Sequence, residues 1–251
     1  MAEHPDVRLT VVCCYNDEAQ MQQLKESLYT QNIAFRLMLI DNRQGRFSSA
    51  AGAYNGILDQ VDTPYVVFCH QDVLFTGTDL LERFLKYLSE IKEGDILGVA
   101  GGRQGCDYVL TGIHTDLQGT CVPGSRLVDG METCDIVDEC FFGGSTKTFQ
   151  EAPFDEKLCP GWHLYAAERC LHAKEEGHQV LVCDLPVVHT SGGTISADYN
   201  RTFLAVSKRY AGTVWFLRTT CCYAPTTFPL RDLAYLYRKI KLRLGMYGRK
   251  N

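Results

Sequence analysis

The sequence is short of the features that mark several large classes of protein. It has no apolar run of roughly 18 residues, the length a membrane-crossing helix needs. Its opening, MAEHPDVR, lacks the charged and apolar regions of a secretory leader. Twelve cysteines are present, but there is no CxxC pair and no second half of a zinc knuckle. Cys13 and Cys14 in LTVVCCY, Cys69 in VVFCH and Cys183 in VLVCD sit inside apolar runs, where a free thiol behaves as a small buried hydrophobe. That usage points to a reducing, cytoplasmic setting. Positive charge is outnumbered everywhere but at the C-terminal end. Seven cations against Asp232 give residues 229–251 a charge of +6, so a chain of net charge -5 carries -11 elsewhere. An acidic body argues against a nucleic-acid-binding core, since duplex binding rests on Lys and Arg neutralising phosphates.

What is present suits one folded domain with an appendage: 251 residues, 45% of them hydrophobic, without repeats or low-complexity tracts. Its organising stretch is 65–75, YVVFCHQDVLF. The run 65–69 is β-branched and aromatic and too short for a helix, so it predicts a buried strand that delivers His70, Gln71 and Asp72 at its carboxyl end. In open α/β sheets ligands collect beyond the carboxyl ends of the strands. Two further strands, 7–15 and 35–40, end in Asp17 and in Asp41-Asn42, with helices expected after Asp17 and around 49–60. Strand, helix, strand, helix, strand is the signature of a parallel, doubly wound sheet.

Residues 79–93 form the clearest amphipathic helix, closed by Gly94, and ILGVAGGR reads as a fourth strand. Residues 105–130 read as a loop-and-hairpin excursion, 132–149 as a return to β pattern, 160–176 as helix, and 180–183 and 187–188 as short strands before HTSGGT. After Pro225 and Pro229, Leu233, Leu236, Tyr237, Ile240, Leu244 and Tyr247 recur at helical spacing with cations between them. This basic amphipathic helix fits either an anionic lipid surface, an acidic partner, or packing on its own domain with its charges solvated.

The first strand ending in YND, the second ending in IDN, SAAGAYNGI before VVFCHQDV, and later PFDEKLCPGWHLYAAERCLHAKEEGHQV with HTSGGT, together resemble GT-A glycosyltransferases of the family 2 type over roughly 7–195. The resemblance implies an α/β fold with a Rossmann-like, mixed but mainly parallel sheet flanked by helices. It divides the chain into a nucleotide-sugar half (about 7–104), an acceptor half (about 105–224) and the basic helical tail (225–251). It also implies a nucleotide diphosphate sugar as donor, a divalent cation (Mn2+ or Mg2+) and an acceptor hydroxyl. By the same resemblance Asp41 and Asn42 lie by the base or ribose, with Tyr15, Asp17, Asn55, His70 and Gln71 around the nucleotide. The family's Asp-x-Asp is His70-Gln71-Asp72 here, so Asp72 keeps the metal-contacting place while His70 replaces the acid that touches ribose. His189 falls where a late His ligand to the metal lies.

In family 2 enzymes a Glu-Asp pair before a helix supplies the base that deprotonates the acceptor. His163 occupies that place here, and imidazole accepts protons near neutral pH; Glu168 and Asp155 are the second and third candidates. Trp162 offers an apolar ring face for a sugar, or fills core. Arg46, Ser48, Ser49, Gly143-Gly144 and Gly192-Gly193 are weaker candidates for donor contact. Two other readings stay open. A sugar-phosphate nucleotidylyltransferase would need a Gly-rich, Lys-containing loop after the first strand, which CCYNDEAQ lacks. An inactive nucleotide-sugar-binding or scaffold protein would account for the replaced first acid and base. The acceptor expected from the basic tail is a glycan or lipid-linked glycan in bacterial surface polysaccharide or glycolipid synthesis, at the inner face of the cell membrane.

Overall fold

The structure is a computed structural model that describes residues 7–122, 124–189 and 195–246. β1 (Leu9–Tyr15) shows why the sheet is buried on both faces: Val12 enters one apolar cluster, while Leu9, Val11 and Cys13 enter the other. α1 (Glu18–Leu28) starts at Asp17, whose Oδ1 accepts the N–H groups of Ala19 and Gln20, and buries Met21, Leu24 and Leu28. β2 (Arg36–Asp41), α2 (Ala50–Asn55), β3 (Tyr65–Cys69), the short β4 (Val73–Leu74) and α3 (Leu80–Glu90) follow. α3 buries Leu80, Leu81, Phe84 and Leu88 along one face.

The stretch expected to be one strand is broken at Val99 into β5 (Ile96–Gly98) and β6 (Ala100–Gly102). A Cβ on Gly102 would lie 1.8 Å from the Arg218 carbonyl oxygen, so only glycine lets the backbone of residue 218 pack against the end of β6. β7 (Val109–Thr111), β8 (Ser125–Leu127), β9 (Met131–Thr133), β10 (Ile136–Val137) and β11 (Phe141–Ser145) complete the middle of the chain. α4 (Thr146–Glu151) occupies residues whose pattern had suggested strand; β11 runs out of partner once Ser145 has paired with Tyr65, where β3 begins. α5 (Tyr165–Glu175), β12 (Val180–Cys183), β13 (Val188–His189), α6 (Ala197–Arg209), the hairpin β14 (Phe216–Arg218) and β15 (Tyr223–Pro225), and α7 (Leu230–Arg243) end the fold. α6 was not foreseen, and Gly192-Gly193 and Tyr247 fall outside the described residues.

The main sheet has the order β2-β1-β3-β11-β5-β12-β9. Parallel pairs join β1 to β2 and β3, and β5 to β12, while β11 and β9 run against their neighbours. The sheet is therefore mixed, as expected, with five of its seven strands pointing the same way although parallel and antiparallel pairs are equal in number, and helices lie on both faces. β10-β6-β7-β8 form a smaller sheet. Gly143 and Gly144 lie inside β11 and not at a turn: a Cβ on Gly143 would stand 2.2 Å from the Val66 carbonyl oxygen. An aromatic cluster of Tyr54, Phe68, Phe142, Phe149, Phe154 and Tyr165 packs beneath the carboxyl end of β3.

Candidate functional site

β3 sets the site. Its apolar residues fix its place between β1 and β11, and the chain leaves it as His70-Gln71-Asp72. Gln71 ties the ends of β1 and β3 together: Oε1 accepts the N–H groups of Asn16 and Asp17 at 2.8 and 3.0 Å, and Nε2 donates to Asn16 Oδ1 at 2.8 Å. β4 then pairs with β13, His189 opposite Val73, which brings His189 Nε2 to 3.3 Å from Asp72 Oδ1. The side chains of His189 and Asp72 are only 16% and 12% exposed.

The structure adds a group that pattern reading missed. β11 runs antiparallel to β3, Phe141 opposite Cys69, so the residues that precede β11 lie beside those that follow β3. Asp138, Glu139 and Cys140 therefore enter the site. Asp138 accepts from the Cys140 N–H at 2.9 Å and from the Thr220 hydroxyl. Tyr165, the first residue of α5, places its hydroxyl 3.2 Å from His70 Nε2. An acidic pair just before an apolar strand was visible in VDECFFGG, but its relevance depends on strand direction.

Among the described residues, two overlapping sets could hold a metal ion: His70, Asp72 and His189, and Asp138, Cys140 and His189, the ligand atoms in each lying within 4.8 Å of one another. The carboxylate suits Mn2+ and the two imidazoles tolerate it as well as softer divalent cations, and substrate oxygens can complete a shell that the protein begins. Burial, with His189 nearby, pulls His70 down to about 4, so its ring is neutral near pH 7. Burial also acts to lower His189, but the hydrogen bond and charge of Asp72, with Asp138, outweigh it and leave the shift upward. Asp138 is held below the usual carboxylate range although burial opposes this, through His189, the Thr220 hydroxyl and the Cys140 N–H.

His163 lies beside this cluster, with Nδ1 3.7 Å from Glu139 Oε2 and its ring packed against Tyr199. Burial raises Glu139, against the opposing pull of His163 and of the Leu164 N–H. Glu139 Oε1 is buried and has no hydrogen-bond partner among the described residues. Leu164 itself is left-handed, φ 70° and ψ 6°, a conformation costly for a residue with a Cβ. That turn starts α5 at Tyr165, five residues later than the expected start at Pro160.

The other expected residues are spread over several elements. Tyr15 and Asp41 are partners in the β1–β2 register, with Asp41 clamped by Arg43 and held down to about 2, chiefly by hydrogen bonds from that guanidinium. Asn42 closes its own loop on Phe47, Asn55 clasps Phe154 and Glu156, and Asp17 caps α1. Glu168 is buried and accepts the Tyr210 hydroxyl at 2.5 Å, and Asp155 caps the turn at Lys157 and Leu158. Trp162 is 39% exposed, on the turn before α5.

Residues 10–111 match the family model described as "Glycosyltransferase like family". The mannosyltransferase PcManGT from Pyrobaculum calidifontis, solved with GDP-Man and Mn2+, superposes with a TM-score of 0.56 at 11% identity, over 100% of this chain and 80% of its own. This is the GT-A glycosyltransferase fold. TarS from S. aureus shares that fold with this chain at a TM-score of 0.53 and 14% identity, over 80% of this chain. GalNAc-T7, solved with UDP, GalNAc and Mn2+, shares it at 0.54 and 10%, over 82%. This chain spans only 39% of the TarS chain and 48% of GalNAc-T7. A curated relative, "ATP synthase subunits region ORF 6" of Fuscovulum blasticum, is 23% identical over 222 residues, 82% of this chain and 84% of its own.

Proposed function

We propose that this chain transfers a sugar from a nucleotide diphosphate sugar to an acceptor hydroxyl, with inversion at the anomeric carbon. The observation that carries the reading is one convergence beyond β3: a cation-binding set, His70, Asp72 and His189, beside an imidazole held by a buried carboxylate, His163 and Glu139. GDP-Man and UDP-GlcNAc in the complexes of PcManGT and TarS support a nucleotide-sugar donor, and Mn2+ with PcManGT and GalNAc-T7 supports a divalent cation. His70, Asp72 and His189 would hold that cation, whose charge offsets the negative charge developing on the diphosphate leaving group. Tyr15 and Asp41, at adjoining strand ends, face the base or ribose, and Asn42, Asn55, Asp17 and Gln71 keep the surrounding backbone in place.

His163 takes the proton from the acceptor hydroxyl as its oxygen attacks in line. Glu139 positions the ring and balances the imidazolium that forms. Glu168 and Asp155 are the weaker candidates, because the first is closed in by Tyr210 and the second caps a turn. Trp162, half exposed next to His163, is the sugar platform. No covalent enzyme intermediate is needed. Twelve unpaired thiols support a reducing, cytoplasmic compartment, and the acceptor class is a glycan or lipid-linked glycan of bacterial surface polysaccharide or glycolipid synthesis.

The test is nucleotide release from UDP-, GDP- and dTDP-sugars with Mn2+, with and without glycan acceptors. His163→Gln is expected to lower turnover by roughly 10²–10⁴ while sparing donor binding. Donor binding without turnover under every combination would instead support an inactive sugar-nucleotide-binding protein.

A further inference from the structure

α7 is mounted with its apolar side outward. Leu230, Leu233, Leu236, Tyr237, Ile240 and Leu244 fall within about a third of the helix circumference at 100° per residue, and each is 50–67% exposed. The side turned to the protein is the more polar one. Arg238 is 5% exposed, donates to Asn200 Oδ1 at 2.7 Å and stacks over Phe203. Asn200 in turn donates to the Tyr235 carbonyl at 3.2 Å. A helix held to its domain by buried hydrogen bonds, with leucines left in water, has the reverse of the usual arrangement. Lys239 and Arg243 border the stripe on one side and Lys241 on the other, in a segment of charge +6 attached to a body of -11.

We propose that α7 is a docking helix that lays this stripe on an anionic phospholipid surface. The charge pattern selects that occupant. Cations along both borders of a convex apolar ridge match acidic headgroups on either side of it, whereas a second copy would set the same cations against one another. The acidic body is repelled by such a surface, so contact is confined to α7. α7 packs on α6 and β15, and α6 supplies the Tyr199 ring that lies against His163. Docking therefore holds the site one helix away from the headgroups, where a lipid-borne acceptor hydroxyl would be met. That last link rests on the proposed transfer activity; the docking does not.

The experiment is flotation of the full chain with phosphatidylcholine vesicles and with vesicles that also contain phosphatidylserine, alongside solution mass by light scattering. Leu233→Glu/Ile240→Glu and Lys239→Glu/Arg243→Glu change only exposed side chains, and unchanged melting temperatures confirm that both variants fold. The wild type is expected to float with the anionic vesicles only. Both variants are expected to lose about ten-fold or more in the bound fraction, and added salt should weaken the wild type. Equal flotation of the wild type and the leucine variant would overturn the proposal. So would a dimer in solution that Leu233→Glu/Ile240→Glu converts to monomer, which would place a second copy on the stripe. Nucleotide binding is a separate readout, so failure of the transferase reading leaves the flotation result standing.

Discussion

Replacing Leu164 by alanine and by glycine separates two opposed effects at the turn that carries His163. Leu164 is 3% exposed within an apolar cluster, and deleting a buried leucine side chain costs about 2–5 kcal/mol in either variant. Its φ of 70° adds a cost of roughly 1–2 kcal/mol for any residue with a Cβ. Alanine keeps that cost and glycine removes it, although glycine's freedom in the unfolded chain returns about 0.4–1 kcal/mol of the gain. The glycine variant should therefore equal the alanine variant or exceed it by ~1 kcal/mol; at an ordinary helical position alanine leads by about that much. Urea unfolding, with equal slopes for the two proteins, reads the difference directly. Turnover should fall in both, because the adjoining His163 loses its fixed direction. A glycine variant less stable than alanine by about 1 kcal/mol or more would show that residue 164 is not left-handed, and the account of the turn would fail.

Other substitutions probe the rest of the scheme. Gly143→Ala places a Cβ 2.2 Å from the Val66 carbonyl oxygen, in backbone that cannot give way without parting β3 from β11. A loss of about 3 kcal/mol or more in chemical denaturation is expected, above ordinary overpacking. Glu139→Gln should reduce turnover by less than His163→Gln, and the double variant should be little worse than His163→Gln alone, since the two act as a unit; a kinetic double-mutant cycle measures this. Burial raises Glu168, although the Tyr210 hydroxyl works against it. An acid whose folded pKa lies above its unfolded value leaves the protein most stable below the unfolded value, 4.5 here, and loses that advantage as pH rises through the folded one. Glu168→Gln should flatten this loss, so its melting temperature should gain on the wild type between pH 4.5 and pH 8, with turnover changed less than ten-fold.

The first half of the fold was legible because each strand is short, apolar and ended by a carboxylate, and each helix carries one apolar face. β3, with Asp72 just beyond its carboxyl end, followed from local pattern alone. What escaped depends on pairing direction and on contacts between distant segments. Nothing local in VDECFFGG says that β11 runs against β3, and that direction brings Asp138 to His189 and Glu139 to His163. His163 was placed by likeness to a family motif, while its carboxylate partner lies 24 positions earlier and its neighbour Tyr199 belongs to a helix the pattern did not announce. The periodicity of α7 was plain, but not which side faces the protein: the buried hydrogen bonds of Arg238 decide that, and an arginine among leucines reads as surface. Gly143 likewise has its reason in the Val66 carbonyl of a strand 77 positions away.

The central claim is that Asp72 helps to hold a divalent cation under the diphosphate of a nucleotide sugar. Thermal unfolding of the wild type and Asp72→Ala, with UDP, GDP, dTDP or CDP and with or without Mn2+, tests it without knowledge of the acceptor. At a ligand concentration 100 times Kd, linkage gives about 2.7 kcal/mol, or roughly 5–10 °C in a domain of this size. That shift is expected for at least one nucleotide in the wild type, only when Mn2+ is present, and is expected to be lost in Asp72→Ala. A nucleotide that stabilises both proteins equally, with or without Mn2+, would contradict it.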